Sequence, residues 1–366
     1  MLKKFAVTNF KGFKDRIELD LSKHRNYAFN EFAIRNNIVK DGIIYGPNGS
    51  GKSNLGLAVF DIVNHLSSKM KAPEYYAAAV YAGNSASPMR FEYTFDFDGT
   101  IVEYEYSKNA GQFLVKESLK VNSTPVFDRD YIEFHLDQEQ FPMVEERIRA
   151  LSDNSNNISI VNYLVNSYPL SSDHYLNRLL GFVDSMLWFR SLEERGFIGL
   201  KSRPQYLEEY IISNRLVDDF SSFLREVSGQ DYRFVPPKEG DKILFCLVGD
   251  TAVSFRDIRS TGTSSLTLLY YWLKNLDGVK LLFIDEFDAF YHYRLSVAVC
   301  RRLFCLDTQV FLTSHNTYLM SNDILRSDCN FILDHNEIKA LSDCTEKELR
   351  WGHNIEKMFR GEAFET

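Results

Sequence analysis

The sequence predicts an α/β fold in which a mixed-sheet core carries an antiparallel β meander and an inserted helical lobe. Three observations carry this reading. A glycine-rich loop, Gly46-Pro47-Asn48-Gly49-Ser50-Gly51-Lys52-Ser53, stands between a short apolar run and a helical stretch. A second apolar run, Leu281-Leu282-Phe283-Ile284, ends in Asp285-Glu286. Between the two, residues 89–121 alternate apolar and polar side chains around an Asp-Gly turn, the pattern of paired antiparallel strands.

Taken in order, Phe5-Ala6-Val7 and Ile17-Glu18-Leu19 read as strands. Val39 to Tyr45 reads as a buried strand and Ser53 to Met70 as the helix that follows the glycine loop. Residues 72–88 read as a connection. Met89 to Phe97, Thr100 to Ser107 and Gln112 to Val121 form the meander. Val144 to Ser152, Ile158 to Tyr168, His174 to Leu192 and Leu207 to Val227 have helical periodicity, with a turn or cap at Asp153–Asn157. Strand character returns at Tyr232–Val235, Lys242–Leu247 and Ala252–Phe255. Then come a helix (Ser264–Asn275), a buried strand (Val279–Ile284), a helix (Leu295–Leu306) and strands at Gln309–Leu312 and Phe331–Leu333. The expected division is an N-terminal half-core with the meander (1–130), a helical lobe (131–230) and a C-terminal half-core (231–366).

The glycine loop fits G-x-x-x-x-G-K-[ST]. Gly46, Gly49 and Gly51 are expected at positive φ, so that bare N–H groups approach phosphate oxygens. Lys52 reaches the β- and γ-phosphates, Ser53 offers its hydroxyl to Mg²⁺, and Asn54 extends the site into the helix, whose N-terminus faces the anion. Asp285 and Glu286 fall at the carboxyl edge of a parallel sheet, where ligands bind in open α/β folds. Asp285 is expected to hold Mg²⁺ through a water, and Glu286 to take a proton from the water that attacks the γ-phosphate. In Val310-Phe311-Leu312-Thr313-Ser314-His315, His315 is placed to donate to the γ-phosphate, although a lone His at a strand end is often structural. Arg259-Ser260-Thr261-Gly262-Thr263-Ser264-Ser265 has the features of an anion nest before a helix, but read in isolation a plain helix cap at Ser264 is preferred.

Composition narrows the classes. The net charge of −8 excludes a broad nucleic-acid coat. The basic cluster in residues 1–25 reads as a solvated sheet edge in preference to a DNA patch. Five cysteines without a C-x-x-C pair suggest neither a disulfide framework nor a zinc site. No secretory signal and no run of about 18 apolar residues is seen, so a cytoplasmic protein without membrane contact is expected.

The order of these units, glycine loop, Ser260-Thr261-Gly262-Thr263, apolar strand with Asp285-Glu286, then strand with His315, resembles the ABC-type ATPases, in particular their RecF/SMC-like branch. Ser260–Thr263 is similar to that family's signature, with Arg259 in place of its Leu and Thr261 in place of its first Gly. Val7-Thr8-Asn9-Phe10-Lys11-Gly12-Phe13 looks like the branch's opening strand. Phe283-Ile284-Asp285-Glu286-Phe287-Asp288 and Glu348-Leu349-Arg350-Trp351-Gly352-His353-Asn354 resemble the single-chain ATPases of bacterial abortive-infection and antiphage modules (PARIS, Septu, RloA and the ATPase half of OLD nucleases). The family's Q-loop glutamine has no clear match; Met89 and Arg90 sit near where it should be.

The resemblance implies ATP and Mg²⁺ as cofactors. It also implies a homodimer or higher homo-oligomer in which Ser260 and Gly262 bind the γ-phosphate held by the other copy, with Asp288 in the loop that crosses between copies. The implied function is a nucleotide-gated dimeric sensor or scaffold in an antiphage system, controlling a separate effector such as a nuclease or toxin. The alternative is a RecF/SMC-like DNA-binding repair ATPase, so nucleic acid stays open as a partner. A transporter subunit is disfavoured by the altered signature. A nuclease in the same chain is disfavoured because only about 30 residues follow the last expected core strand.

Overall fold

The computed structural model describes residues 1–67, 69, 73–130, 132–152, 157–191, 197–199, 207–238 and 240–364. Two seven-stranded sheets dominate. The core sheet runs in the order Phe197–Ile198, Met186–Arg190, Leu281–Asp285, Gln309–Ser314, Asp41–Tyr45, Asn330–Asp334, Glu337–Ala340. Its five inner strands are mutually parallel, and an antiparallel strand closes each side. Asp41–Tyr45, Leu281–Asp285 and Gln309–Ser314 are buried along their whole lengths, as their apolar runs require of a sheet covered on both faces. Because the inner strands share one direction, Tyr45, Arg190, Asp285 and Ser314 all finish at the same edge.

The second sheet is antiparallel, in the order Phe134–Leu136, Thr124–Arg129, Leu114–Val121, Thr100–Lys108, Met89–Phe97, Leu2–Thr8, Ile17–Asp20. The helix Lys52–Leu66 lies between the two sheets. Gly56 meets Phe283 and Trp188 of the core sheet, while Ala58 and Val59 present carbonyls to Tyr93 Oη of the other sheet. Eleven of its fifteen residues are buried, which explains a helix that is apolar nearly all round. The fold is thus the expected α/β class, with mixed core, meander and helices between residues 145 and 228.

Several boundaries differ from expectation. The stretch His174–Leu192 is not one helix: it divides into the helix Tyr175–Asp184 and the core strand Met186–Arg190. Met186-Leu187-Trp188-Phe189 is a continuous apolar run, which periodicity alone assigns equally to a buried helix or a buried strand. Leu207–Val227 is broken into Leu207–Ser213 and Val217–Ser228 by Arg215, whose φ of +56° no helix accommodates. The meander gains two strands, Thr124–Arg129 and Phe134–Leu136. Tyr232–Val235 contributes only an isolated bridge, Phe234 to Cys246. Met70, Leu192 and Asp153–Asn156 of the expected turn lie outside the described residues.

One buried carboxylate ties the helix Ile160–Ser167 to the meander. Glu117, fully buried on Leu114–Val121, accepts from Tyr104 Oη (2.8 Å), Ser159 Oγ (2.7 Å), Ile160 N (2.8 Å) and Arg129 Nη2 (3.0 Å). It meets the N-terminus of the helix Ile160–Ser167, where negative charge is favoured.

Candidate nucleotide-binding site

The strand Asp41–Tyr45 runs directly into the glycine loop, and the loop into the helix Lys52–Leu66. Gly49 and Gly51 have φ of +81° and +102°, as expected. Gly46 does not adopt positive φ. Glycine is required there for a different reason: a Cβ would lie 2.3 Å from the Leu333 carbonyl oxygen. At Gly51 a Cβ would also strike the Phe13 ring at 2.8 Å. Phe13 belongs to the turn Asn9–Lys14, whose Asn9 side chain holds the chain at 84–88 through bonds to Asn84 O and Ser87 O. The N-terminal motif is therefore a buttress for the loop, and a Cβ at Gly12 would come within 3.5 Å of Asn54 Nδ2.

Pro47, Asn48 and Gly49 form the exposed crown of the loop. The helix behind it starts at Gly51 with no side-chain cap, so its first-turn N–H groups face outward unanswered by a cap. Ser50 Oγ is buried with no hydrogen-bond partner. Free donors at a helix N-terminus, an orphaned hydroxyl and a lysine make a set that a polyphosphate fits. Lys52 is 5% exposed, and its Nζ donates to Gly46 O (2.8 Å) and Pro47 O (3.0 Å). Burial lowers its pKa, while Asp285 and Glu286 pull the other way.

His315 Nδ1 lies 3.3 Å from Lys52 Nζ. An ammonium only donates, so Nδ1 is the acceptor and Nε2 carries the ring proton. Burial first, and then the Lys52 charge, lower the His315 pKa and keep the ring neutral at neutral pH. A neutral imidazole with its proton on Nε2 can donate to a phosphate oxygen.

The acid pair is held from the neighbouring strand. Thr313 Oγ1 donates to Asp285 Oδ1 (2.9 Å) and accepts from Glu286 N (2.7 Å). Glu286 has φ +51°, an uncommon conformation for a residue with a side chain, concentrated at turns and functional sites. The other oxygen of Asp285 accepts from Arg190 Nε at 2.9 Å. Both oxygens of this buried carboxylate thus have a donor, and Ser53 stands at the start of the facing helix. Ser53 and Asp285 are the residues that would hold an Mg²⁺ there. Asp288, expected in a loop between copies, accepts from Ser314 Oγ (2.8 Å) in its own chain, and burial pushes its pKa up to about 6.

Ser260–Thr263 is elsewhere. Ser260, not Ser264, caps the helix Thr261–Lys274 by accepting from Thr263 N (3.1 Å). Arg259 and the nearby Arg256 both pair with Glu208, which is almost wholly buried (3.0 and 2.8 Å). Gly262 approaches the Phe290 carbonyl, where a Cβ would sit at 3.0 Å. Among the described residues no hydrogen bond or ion pair joins Ser260 or Gly262 to residues 46–54. Met89 and Arg90 open a strand of the other sheet, where Arg90 pairs with Glu105 and Glu92.

Four contributors escaped the sequence reading: Thr313, Arg190, Phe13 and Glu208. Thr313 had a signal, since it stands two residues before His315 on the expected strand. Phe13 had one in the Asn-Phe-Lys-Gly-Phe turn. Arg190 and Glu208 had none, because each meets its partner only through the sheet and helix packing.

Among the described residues, no helix is long and apolar enough to cross a membrane, and no group of three or more His, Cys, Asp or Glu converges as a metal site. No curated protein matches the chain. Solved structures to which it is similar include the SMC head domain from Thermotoga maritima (15% identity, 92% of this chain and 97% of that one, TM-score 0.43). Another is the Smc head domain with a coiled coil and joint from Pyrococcus yayanosii (9%, 99% and 99%, TM-score 0.45). A third is the recombination mediator protein RecF with ATP (16%, 91% and 97%, TM-score 0.36). Scores this low carry no argument about activity or partners. The family described as "AAA domain, putative AbiEii toxin, Type IV TA system" matches residues 43–321, well over half of the chain, and the protein belongs to that AAA-domain family.

Proposed function

We propose that this protein is an Mg²⁺-dependent ATPase whose nucleotide site is completed by a second copy, and that it serves as a nucleotide-gated sensor or scaffold in a bacterial antiphage system, controlling a separate effector. The observation that carries the ATPase reading is the meeting of Lys52 with His315 at 3.3 Å, on the sheet edge where Thr313 clamps Asp285 and Glu286. Lys52 and the first-turn N–H groups hold the phosphates. Ser53 and Asp285 would hold Mg²⁺, which supplies charge neutralisation at the β- and γ-oxygens. Glu286 orients and deprotonates the attacking water, and His315 Nε2–H donates to the γ-phosphate. Ser260 and Gly262 make no bond to their own loop, which supports a role toward the loop of another copy. The family's description, with its toxin and toxin–antitoxin system, supports the defence setting.

Glu286→Gln tests this reading. The variant should bind ATP with unchanged affinity, lose at least about a hundredfold in turnover, as removal of a general base does, and run as a dimer by light scattering when ATP is present. Turnover at the parent rate would remove Glu286 from the base role. An ATP-loaded monomer would remove the second copy from the site.

A further inference from the structure

Asp285 accepts on one oxygen from a neutral hydroxyl, Thr313, and on the other from a cation, Arg190. The two partners in the ion pair are not equally placed. Asp285 is fully buried, whereas the Arg190 side chain is 21% exposed at the sheet edge. Parallel register explains the pairing: Arg190 stands opposite Asp285 as the last residue of its strand. Lys11 lies close enough for the Arg190 charge to help depress its pKa, after burial. The mouth of the site thus sets the cations Arg190 and Lys52 beside the acids Asp285 and Glu286, with Lys11 near Arg190.

A buried carboxylate must be compensated. Here the compensation is the Arg190 guanidinium bonded to Asp285 Oδ2. A divalent cation brought to the same carboxylate meets that positive charge at close range, where like charges repel strongly. Arg190 is partly exposed and ends its strand. Its departure would be felt by the loop helix: Trp188, two residues before it, packs its indole Nε1 2.9 Å from where a Gly56 Cβ would stand. The Arg190 guanidinium carbon also lies 5.8 Å from the Trp188 ring centroid.

We propose that Arg190 is the resident counter-ion of Asp285, and that the divalent cation arriving with nucleotide displaces its guanidinium from Asp285 Oδ2. The proposal rests on the nucleotide-site reading above. It makes Arg190 a positioning residue that sets how much Mg²⁺ the site demands, and it couples metal arrival to the strand Met186–Arg190 and the helix Lys52–Leu66.

The test is a titration of MgCl₂ into the full chain with a saturating fluorescent ATP analogue, read as bound analogue and as tryptophan emission. Arg190→Met and Arg190→Gln remove the competing charge, and each should lower the half-saturating Mg²⁺ concentration on the order of tenfold. Arg190→Lys keeps the charge and should stay near the parent. Without metal and nucleotide, Arg190→Met should melt below the parent, and Mg²⁺ with the analogue should restore more of its melting temperature than they add to the parent. If Arg190→Met does not fold, Arg190→Gln, which keeps a hydrogen bond to Asp285, decides the matter alone. A half-saturating Mg²⁺ concentration that is unchanged or raised in the neutral variants overturns the proposal and leaves the site reading standing. A parent chain that binds the analogue no better than Lys52→Ala, at any Mg²⁺ concentration, overturns the site reading itself and the proposal with it.

Discussion

At the scale of single residues, one hydroxyl organises both acids. Thr313 Oγ1 is a donor to Asp285 and an acceptor for the Glu286 amide, and the Phe287 amide bonds to the Thr313 carbonyl at 3.2 Å. Glu286 keeps its left-handed backbone because these bonds over-determine it. Thr313→Val retains shape and removes the hydroxyl, leaving a buried carboxylate oxygen and an amide unanswered. It should lower stability by roughly 1–3 kcal/mol in urea unfolding and depress ATP turnover with little change in nucleotide affinity. Thr313→Ser should recover both. Turnover in Thr313→Val equal to the parent would show that Glu286 needs no such clamp. Gly46 teaches a related lesson at this scale. The motif named the residue correctly, yet its reason is contact with Leu333 of the next strand and not a special φ, and contact across a sheet is invisible in a local pattern.

At the scale of elements, the helical stretch is anchored through Glu117, where the meander strand Leu114–Val121 meets Ser159 and the amide of Ile160. Five donors converge on a carboxylate with no exposure, one of them the buried Arg129. Glu117→Gln replaces an acceptor oxygen by a second donor group and leaves the arginine charge uncompensated. A loss of roughly 3 kcal/mol is expected, with amide exchange accelerating first in the helix Ile160–Ser167. Uniform exchange across the chain would mean that Glu117 does not anchor that helix in particular. Legible from the sequence were the first three meander strands, by their alternation, and the loop strand, the loop helix and the acid strand, each adjoining a recognisable motif. Met186–Arg190 was not, because four consecutive apolar residues satisfy helix and strand alike, and only pairing with Leu281–Asp285 chooses between them.

At the scale of the whole molecule, the core sheet has two unlike edges. The carboxyl edge carries the candidate site. Beyond the opposite ends of the strands lies a buried ion pair, Lys40 with Asp41 at 3.0 Å, in which Lys40 Nζ also donates to Phe304 O and Leu306 O. Among the described residues Lys40 is the one cation on the Asp41 carboxylate, and burial outweighs it and pushes the Asp41 pKa up to about 7. A raised carboxyl pKa means that the folded chain holds a proton the unfolded chain has lost, from about pH 4 to about pH 7. Stability from this group therefore falls as pH rises through that window. Asp41→Asn removes the ionisation, so its stability relative to the parent should climb between pH 4.5 and pH 8 by roughly 1–3 kcal/mol in urea unfolding. A parallel pH dependence in both proteins would assign Asp41 no part in it.

The amino-acid sequence by itself determined the α/β class, the glycine loop and the identities of Lys52, Asp285, Glu286 and His315 as candidates, because each is written in a few consecutive residues. Local spacing and apolar runs are properties that a linear chain displays directly. Tertiary structure alone decided what surrounds them. It set Thr313 between the two acids, brought Arg190 onto Asp285 through parallel register, laid Phe13 against Gly51, and kept Ser260 and Gly262 away from their own loop. Those relations depend on which strands lie side by side, and strand order is fixed by the joint burial of many side chains far apart in the chain.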